Sequence, residues 1–156
     1  MFLCQYDSPV GRLLLTCEDS GLTGLWMDRE DAKREDCHPI LEQAKTWLDA
    51  YFQGKALPAA FPLKPKGTAF QQQVWQILLT IPYGGTRTYG DIAREMALRL
   101  GKEKMSAQAV GQAVGKNPIS ILIPCHRVVG SQGQLTGYAA GLEKKAWLLD
   151  HEAGKK

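Results

Sequence analysis

The sequence predicts an α+β protein, in which a small antiparallel sheet with one helix is followed by a helical unit with a helix-turn-helix. Short apolar runs separated by turn-forming residues fill the chain up to Met27, and this pattern is typical of β-hairpins. From Ile40 onward, apolar residues recur instead at every third or fourth position, as on one face of a helix. A proline-rich stretch interrupts the helical pattern, so we place two units at residues 1–67 and 68–156.

Three strands are predicted at the start of the chain. The apolar runs Phe2–Tyr6, Arg12–Cys17 and Leu22–Met27 are separated by the clusters DSPVG and EDSG. Aspartate, serine, proline and glycine favour tight turns, so consecutive strands should pair in antiparallel fashion. We therefore expect a three-stranded meander.

One helix and a linker should complete the first unit. The helix is indicated by apolar residues three or four positions apart, and Gly54 offers a stop. These apolar residues are Ile40, Leu41, Ala44, Trp47, Leu48, Tyr51 and Phe52. The following segment KALPAAFPLKPKG, residues 55–67, carries three prolines among few periodic positions, which is typical of a linker. We expect the helix to cover one face of the sheet.

Three further helices are predicted at the start of the second unit. Thr68 and Gln71 fit a capping box for the first of them, which should end by Pro82. The segment TYGDIAREMALRLG has the apolar period of a second helix. Ser106 can cap a third helix.

Small residues occupy one side of this third helix. Ala107, Gly111 and Gly115 stand four positions apart, and each glycine inside a helix costs up to about 1 kcal/mol relative to alanine. Something should therefore approach this backbone closely, either another helix or a ligand. Two helices joined by a connection also suggest a helix-turn-helix, although many helical pairs never touch DNA.

A short buried segment and a final helix are predicted beyond the third helix. Asn117–Pro118 ends that helix, and the apolar run ISILI leads into Pro124 and Cys125. After the glycine-rich loop SQGQLTGYAAG, a last helix should run from Leu142 to a stop at Gly154.

Composition narrows the possible classes of protein. The 156 residues are 44% hydrophobic and 22% charged, a balance typical of a globular domain. No window approaches the roughly 18 uninterrupted apolar residues of a membrane span, and the first residues lack the basic and apolar regions of a secretory signal. We therefore expect a cytoplasmic protein, nucleoid-associated if bacterial, that binds no membrane. A net charge of +3 permits an anionic partner but is far weaker than that of a strongly basic nucleic-acid binder.

The four cysteines are expected to be free thiols. They are Cys4, Cys17, Cys37 and Cys125, and none stands in the close CxxC spacing of a zinc site. The cytoplasm also keeps thiols reduced. We therefore expect no disulfide, no metal and no cofactor.

The stretch IPCHRVVG, residues 123–130, raises the main question about function, because it places Cys125 beside His126 and Arg127. A reactive thiol must be activated and accessible, whereas most free cysteines pack as small buried hydrophobes. Neighbouring residues on a strand also point to opposite faces, so adjacency alone does not make a catalytic pair. On these residues alone both interpretations stay open.

Seven sequence blocks of the second unit resemble one family, the O6-alkylguanine-DNA alkyltransferases, also called methylated-DNA–protein-cysteine methyltransferases. The blocks are FQQQVW, TYGDIA, AVGQAVGKNP, NPISILIPCHR, PCHRV, GYAAG and WLLDHE, and they cover nearly all of the chain from Thr68 to Gly154. In the first unit, only DSPVGRLLL and the strand–helix layout resemble the family.

This resemblance implies a ribonuclease-H-like first unit and a second unit whose helix-turn-helix enters the minor groove of double-stranded DNA. The substrate would be O6-alkylguanine, with O4-alkylthymine as a further candidate, flipped out of the duplex so that the chemistry can reach it. In the family the cysteine takes the alkyl group irreversibly, so the protein acts once. The resemblance also implies a monomer.

The resemblance assigns chemical roles to four residues. Cys125 would be the acceptor, His126 would withdraw its proton through a bound water, and Glu152 would orient the imidazole. A base is needed because a free thiol with a pKa near 8.5 is mostly protonated at neutral pH. Asn117 would be the hinge between the recognition helix and the cysteine segment. Simpler interpretations remain open for three of them. His126 could be an ordinary core histidine, Glu152 an exposed carboxylate at a helix end, and Asn117 part of an ordinary Asn-Pro helix end.

The resemblance also places five residues near the extruded base. Tyr89 would hold the target phosphate and touch the base, although it could instead be a packed aromatic. Tyr138 would lie against the base and hydrogen-bond its edge. Ala139 would offer a backbone N–H and Val128 a backbone carbonyl. The small side chains of Ala139 and Ala140 would leave room for the alkyl group.

The chain departs from the family pattern at the start of the recognition helix. The residue before Ala109 is commonly an arginine that fills the gap left by the flipped base, and here it is Gln108. Gln108 and Ala109 are both expected at the DNA surface. The segment LRLGKEK between Tyr89 and this block also looks longer than usual. Its Lys102 and Lys104 are either phosphate contacts or part of a solvated surface.

Three other functions remain open at this stage. An alkyltransferase-like protein binds alkylated DNA without accepting the group, but that subfamily typically has tryptophan in place of Cys125. A helix-turn-helix regulator would bind DNA without chemistry. A cysteine hydrolase would turn over repeatedly, whereas a dealkylating acceptor would show a burst of one equivalent.

Overall fold

The first part of the chain forms the predicted three-stranded meander. The computed structural model describes residues 1–27, 34–138 and 140–154. Strands β1 (Phe2–Ser8), β2 (Gly11–Glu18) and β3 (Gly21–Trp26) pair antiparallel in the order β1-β2-β3. The α+β prediction is confirmed.

Helix α1 (Pro39–Phe52) covers one face of this sheet, as predicted. It begins where the His38 ring accepts a hydrogen bond from the Ile40 backbone N–H, with Pro39 at the first helical position. Proline suits this position because its fixed φ angle is already helical and it lacks an N–H that would go unpaired. The apolar face of α1 is buried, and Tyr51 in its last turn is 1% exposed.

The proline-rich segment after α1 runs along the edge of the sheet. The Leu22 N–H donates to the carbonyl of Pro62 over 2.9 Å, and the Lys64 N–H donates to the carbonyl of Leu22 over 2.7 Å. Phe61 is buried beside this contact. The predicted linker is therefore an ordered cover for β3, and such covers prevent an exposed strand edge from pairing with other chains.

The second part of the chain is mainly helical. Its helices are α2 (Ala69–Leu78), α3 (Tyr89–Leu100), α4 (Ala107–Gly115) and α5 (Leu142–Glu152). Helices α2 and α3 both begin with capping boxes, in which Thr68 pairs with Gln71 and Thr88 pairs with Asp91. No helix in the described ranges is long and apolar enough to span a membrane.

A two-residue parallel ladder links α3 to the cysteine segment. Strand β4 (Arg87–Thr88) immediately precedes α3, and it pairs with strand β5 (Val128–Val129). A single 3₁₀ turn, Cys125–Arg127, leads directly into β5. The start of α3 and the cysteine turn are therefore held together by backbone hydrogen bonds.

The segment that follows α4 joins the two parts of the molecule. The Leu25 N–H donates to the carbonyl of Pro118 over 2.8 Å, and the Ser120 N–H donates to the carbonyl of Leu25 over 3.0 Å. Ile119, Ile121 and Ile123 are at most 1% exposed, as the apolar run ISILI predicts. This pairing places the chain that leads to Cys125 against β3.

Candidate active site

Cys125 lies at the beginning of the 3₁₀ turn and is almost buried, with 7% of its surface exposed. Burial raises the pKa of its thiol, while Asn117, Tyr138 and the charge of Lys145 act in the opposite direction. Three polar groups from separate parts of the chain therefore surround one cysteine. This environment differs from that of a cysteine packed only among hydrocarbon side chains.

His126 is fully buried and has a defined orientation. Its Nε2 lies 2.6 Å from Oε2 of Glu152, and both side chains are almost completely excluded from solvent. Burial lowers the pKa of His126, and the hydrogen bond with Glu152 offsets this only in part. The imidazole is therefore neutral near pH 7.

The contact with Glu152 also decides which nitrogen of His126 is the base. An ionised carboxylate only accepts hydrogen bonds, so Nε2 must carry the ring proton. The opposite nitrogen, Nδ1, then has a free lone pair, and this buried atom has no hydrogen-bond partner within the described residues. His126 therefore presents an unprotonated nitrogen that can accept a proton.

Glu152, the last residue of α5, is held by four groups. Besides His126, its carboxylate accepts hydrogen bonds from Arg127, from the Tyr51 hydroxyl at 2.6 Å and from the Gly84 backbone N–H at 3.2 Å. Burial alone would raise the pKa of Glu152, but the bonds from His126, Arg127 and Tyr51 together lower it. The carboxylate is therefore ionised at neutral pH.

The Arg127 guanidinium binds the Glu152 carboxylate and not the neighbouring thiol. Its Nε and Nη2 lie 2.7 Å from Oε1 and 3.0 Å from Oε2 of Glu152, and its Nη1 donates to the carbonyl of Ile81 over 2.7 Å. The sequence showed Arg127 only as a cation beside Cys125. The structure shows that it compensates the carboxylate instead.

Asn117 shapes the turn between α4 and the cysteine segment. Its side-chain Oδ1 accepts from the Ile119 N–H over 3.0 Å, and its Nδ2 donates to the carbonyl of Ile123 over 2.8 Å. Ile121 within this turn has a φ of 70°, a left-handed conformation that β-branched residues rarely adopt. The buried amide thus spans both ends of a strained turn that precedes Cys125.

An open cavity of about 760 Å³ lies outside the cysteine, between α4 and the loop that precedes α5. It is lined by Tyr89, Ala107, Gln108, Gly111, Gln112, Gly115, Thr136, Gly137 and Tyr138. The small residues of α4 therefore face this space, whereas the buried face of the helix consists of Val110, Ala113 and Val114. A Cβ at Gly111 would lie at ordinary contact distance from the Tyr89 ring, and one at Gly115 would meet nothing within 4 Å among the described residues. Close helix packing therefore does not explain these two glycines, and the ligand contact stays a prediction.

Tyr138 lines this cavity and also interacts with the thiol, and Tyr89 lines the same cavity. The buried hydroxyl of Tyr138 faces Cys125 and has no hydrogen-bond partner of ordinary geometry in the described part of the chain. The Tyr89 hydroxyl donates to the carbonyl of Thr136 over 3.1 Å. The fully buried Lys145 donates to the same carbonyl over 2.8 Å.

Of the remaining residues predicted at the site, Gln108 lines this cavity. Gln108 is exposed and Ala109 half-buried at the beginning of α4. Val128 is fully buried in β5. Ala140 is half-buried at the end of the loop, and Ala139 lies outside the described residues.

Three residues of the site were not recognised as such from the sequence. Tyr51 is indicated only as one apolar position of a helix, Arg127 only as a neighbour of the thiol, and Lys145 not at all. Within the described residues, no group of three or more histidine, cysteine, aspartate or glutamate side chains is arranged to hold a metal ion. The arrangement as a whole is that of a protein that uses a cysteine as its nucleophile.

Comparison with known proteins defines the family. A sequence model described as "6-O-methylguanine DNA methyltransferase, DNA binding domain" matches residues 69–154, and one described as "6-O-methylguanine DNA methyltransferase, ribonuclease-like domain" matches residues 1–65. The methylated-DNA–protein-cysteine methyltransferase of Haemophilus influenzae is 42% identical, over 97% of this chain and 86% of that protein. The protein of the same name from Mycobacterium leprae is 46% identical, over 94% and 88%.

Solved structures agree with these matches. The Mycobacterium tuberculosis OGT in complex with DNA superposes with a TM-score of 0.86 at 41% identity, covering 99% of this chain and 94% of that one. An O6-methylguanine DNA methyltransferase from Methanococcus jannaschii gives a TM-score of 0.70 at 27% identity, covering 97% and 94%. This chain belongs to the methylated-DNA–protein-cysteine methyltransferase family.

Proposed function

We propose that this protein repairs DNA by transferring the alkyl group of O6-alkylguanine to the sulfur of Cys125. The observation that carries the proposal is the combination of a nearly buried thiol with a neutral imidazole whose Nε2 is bound to Glu152. The cavity that adjoins Tyr138 provides space for the target base. The family supplies the class of substrate.

The proposed reaction is a single displacement. Nδ1 of His126 accepts the proton of the Cys125 thiol through a water molecule, and the thiolate attacks the alkyl carbon. A carbon–sulfur bond forms as the bond between that carbon and guanine O6 breaks, and guanine leaves with the electron pair and takes up a proton. The product is a thioether, and water does not displace a thiolate from its unactivated alkyl carbon, so each molecule acts once.

The proposed substrate is a guanine flipped out of double-stranded DNA into the cavity. Gln108 and Ala109 would face the minor groove, which is supported by the exposure of Gln108 at the start of α4. Tyr89 and Tyr138 would contact the base, Val128 would offer its carbonyl, Ala139 its backbone N–H, and Ala140 a small side chain beside the alkyl group. Asn117 would fix the turn on which Cys125 sits.

We further propose that the chain works as a monomer of two units, residues 1–67 and 68–156, in the cytoplasm. The boundary is supported by the two family matches, which end at residue 65 and begin again at residue 69. The second unit would provide both the DNA surface and the acceptor cysteine.

The test is intact-mass spectrometry of the protein after mixing with duplex DNA that contains O6-methylguanine. We expect each chain to gain one methyl group, with peptide mapping placing it on Cys125. Cys125→Ser should bind the DNA with little change but gain no methyl group. Cys37→Ser, which changes an exposed cysteine, should react like the wild type.

Other outcomes identify the rival functions. Binding without a mass change would indicate a damage binder, and binding that depends on base sequence without transfer would indicate a regulator. Release of product over many cycles would indicate a hydrolase. A methyl group on Cys4, Cys17 or Cys37 would disprove the role of Cys125.

A further inference from the structure

Tyr51 connects the first unit directly to the carboxylate of the candidate active site. It lies in the last turn of α1, and its hydroxyl donates to Oε2 of Glu152 over 2.6 Å across 101 positions of sequence. The side chain is 1% exposed, so water does not compete for this bond. Burial and the neighbouring Glu152 raise the pKa of Tyr51, so the hydroxyl stays protonated and can only donate to the carboxylate.

The backbone of Tyr51 is held by the residue adjacent to Glu152. Nε2 of His151 lies 2.6 Å from the carbonyl oxygen of Tyr51, and because a carbonyl can only accept, this nitrogen is the donor. The His151 ring also stacks on Trp147, with ring centroids 5.0 Å apart. Two consecutive residues of α5 therefore bind the backbone and the side chain of a single residue of α1.

The oxygen that Tyr51 contacts is the one that faces the imidazole. Oε2 of Glu152 accepts from Tyr51, from Nε2 of His126 and from Nη2 of Arg127, whereas Oε1 accepts from Nε of Arg127 and from the Gly84 N–H. Any donor to Oε2 competes with His126 for the same negative charge. The tyrosine is therefore placed to influence the base as well as to fix the carboxylate.

We propose that Tyr51 is a positioning residue of the transfer reaction. Through its hydroxyl, the first unit fixes the position of the Glu152 carboxylate and moderates the negative charge that this carboxylate presents to His126. The proposal rests on the roles given above to Cys125, His126 and Glu152. It assigns the sheet-and-helix unit a direct part in the chemistry, although none of the residues described in that unit lines the cavity beside Tyr138.

The other groups around the pair make their contacts without the tyrosine hydroxyl, which bonds to Glu152. Arg127 neutralises Glu152, the Tyr83 ring lies 5.8 Å from the Arg127 guanidinium, and Lys145 acts on His126 by its charge. Without the hydroxyl, Oε2 has one donor fewer and attracts the proton on His126 more strongly. The pKa of His126 should then rise, because a nearby negative charge favours its protonated form.

The test compares Tyr51→Phe with Tyr83→Phe as a matched control. The Tyr83 ring packs edge-on against the Tyr51 ring at 5.9 Å, but its hydroxyl is not among the groups that donate to the Glu152 carboxylate. The rate constant for transfer to Cys125 is measured against pH with free O6-benzylguanine, which needs no DNA binding. Protonated His126 cannot accept the thiol proton, so the acid limb of this profile reports on His126.

We expect Tyr51→Phe to move the midpoint of the acid limb to higher pH by about 0.5 unit or more. Tyr83→Phe should leave the midpoint unchanged. The shift should disappear when Tyr51→Phe is combined with Glu152→Gln, because the neutral amide no longer carries the charge that Tyr51 moderates. A merely structural role of Tyr51 would lower the rate without this dependence on Glu152.

A second substitution covers the case in which Tyr51→Phe does not fold. 3-Fluorotyrosine introduced at position 51 keeps the ring and makes the hydroxyl a stronger donor, so the midpoint should move to lower pH. An unchanged midpoint in a folded variant, or the same shift in Tyr83→Phe, would overturn the inference. Failure of the wild type to alkylate Cys125 would instead refute the proposed function.

Discussion

Arg127 holds the carboxylate of Glu152 through two nitrogen atoms, with Nε 2.7 Å from Oε1 and Nη2 3.0 Å from Oε2. A guanidinium that binds both oxygens fixes the plane of the carboxylate as well as its position. The oxygen next to His126 therefore cannot turn away without breaking a buried ion pair. The orientation of the imidazole depends on this pair.

Glu152→Gln should slow transfer to Cys125 by about 10²–10⁴-fold, because general-base assistance is typically worth that much. The amide can still fill the space but cannot stabilise the protonated imidazole by its charge. Single-turnover rates with O6-methylguanine duplex DNA would measure the loss, and binding to the same DNA should remain. Glu143→Gln, an exposed position at the start of α5, is the control. Equal rates for Glu152→Gln and wild type would exclude the proposed role.

The stability of the protein should fall as acid protonates Glu152. The native pKa of this carboxyl lies below its ordinary value of 4.5, so the unfolded chain takes up the proton first. The contribution of Glu152 is therefore fully present above about pH 5 and is lost as the pH falls below 4.5 toward the native value. Urea denaturation at a series of pH values would show this, and Glu152→Gln should show a smaller decrease over that interval. A decrease of the same size in the variant would contradict the assignment.

Asn117→Ala should destabilise the fold by about 2–4 kcal/mol. It leaves the buried Ile119 N–H without a partner, at about 1–3 kcal/mol, and removes one of the two hydrogen bonds to the Ile123 carbonyl, which also accepts from the Cys125 N–H, at about 1 kcal/mol. Urea denaturation gives the difference. Gln112→Ala, on the exposed side of α4, should change stability much less. A loss no larger than that of the control would mean that the turn holds its shape without the amide.

Lys145→Met should make Cys125 a weaker nucleophile near neutral pH. The charge of Lys145 lowers the pKa of the Cys125 thiol, so its removal should raise that pKa and move the pH dependence of alkylation by iodoacetamide to higher pH. Cys37→Ser serves as the background, because Cys37 is exposed and would also react. Lys144→Met removes the adjacent lysine, which bonds to the carbonyl of Met27, and should leave the profile in place. A profile unchanged by Lys145→Met would show that this charge does not act on the sulfur.

Gln108→Arg should speed repair of duplex DNA while barely changing the reaction with free O6-benzylguanine. A guanidinium can stack on neighbouring bases and fill the gap left by an extruded guanine, whereas the shorter, neutral amide does so less well. The two substrates separate extrusion from chemistry. Gln112→Arg lines the same cavity one turn later in α4 and is the matched control. Equal acceleration on both substrates would place Gln108 in the reactive pocket.

Local features of the fold could be predicted because their causes lie close together in the sequence. The capping box of Thr68 and Gln71 involves residues three apart, and the structure contains it. The strand meander and α1 follow from turn residues and apolar spacing in the same way. The ordered conformation of the linker could not be predicted, because the proline content of the linker does not show that the linker backbone pairs with Leu22.

The partners within the site were less predictable. In the 3₁₀ turn, three residues complete one revolution, so Cys125, His126 and Arg127 point in different directions even though they are adjacent. Adjacency therefore gave no indication that Arg127 binds Glu152. Tyr51 and Glu152 are 101 positions apart, and only the packing of α1 against α5 brings them together. The buried Lys145 runs against the usual preference of lysine for the surface.

The carbonyl oxygen of Thr136 accepts hydrogen bonds from Tyr89 on α3 and from Lys145 on α5. Because the anchor is a main-chain atom, the residue type at position 136 can change without loss of either bond. The length of the loop matters more, because an insertion or deletion between Gly130 and Gly137 would move the Thr136 carbonyl oxygen out of reach of both donors. This loop should therefore tolerate amino-acid substitutions but few insertions or deletions.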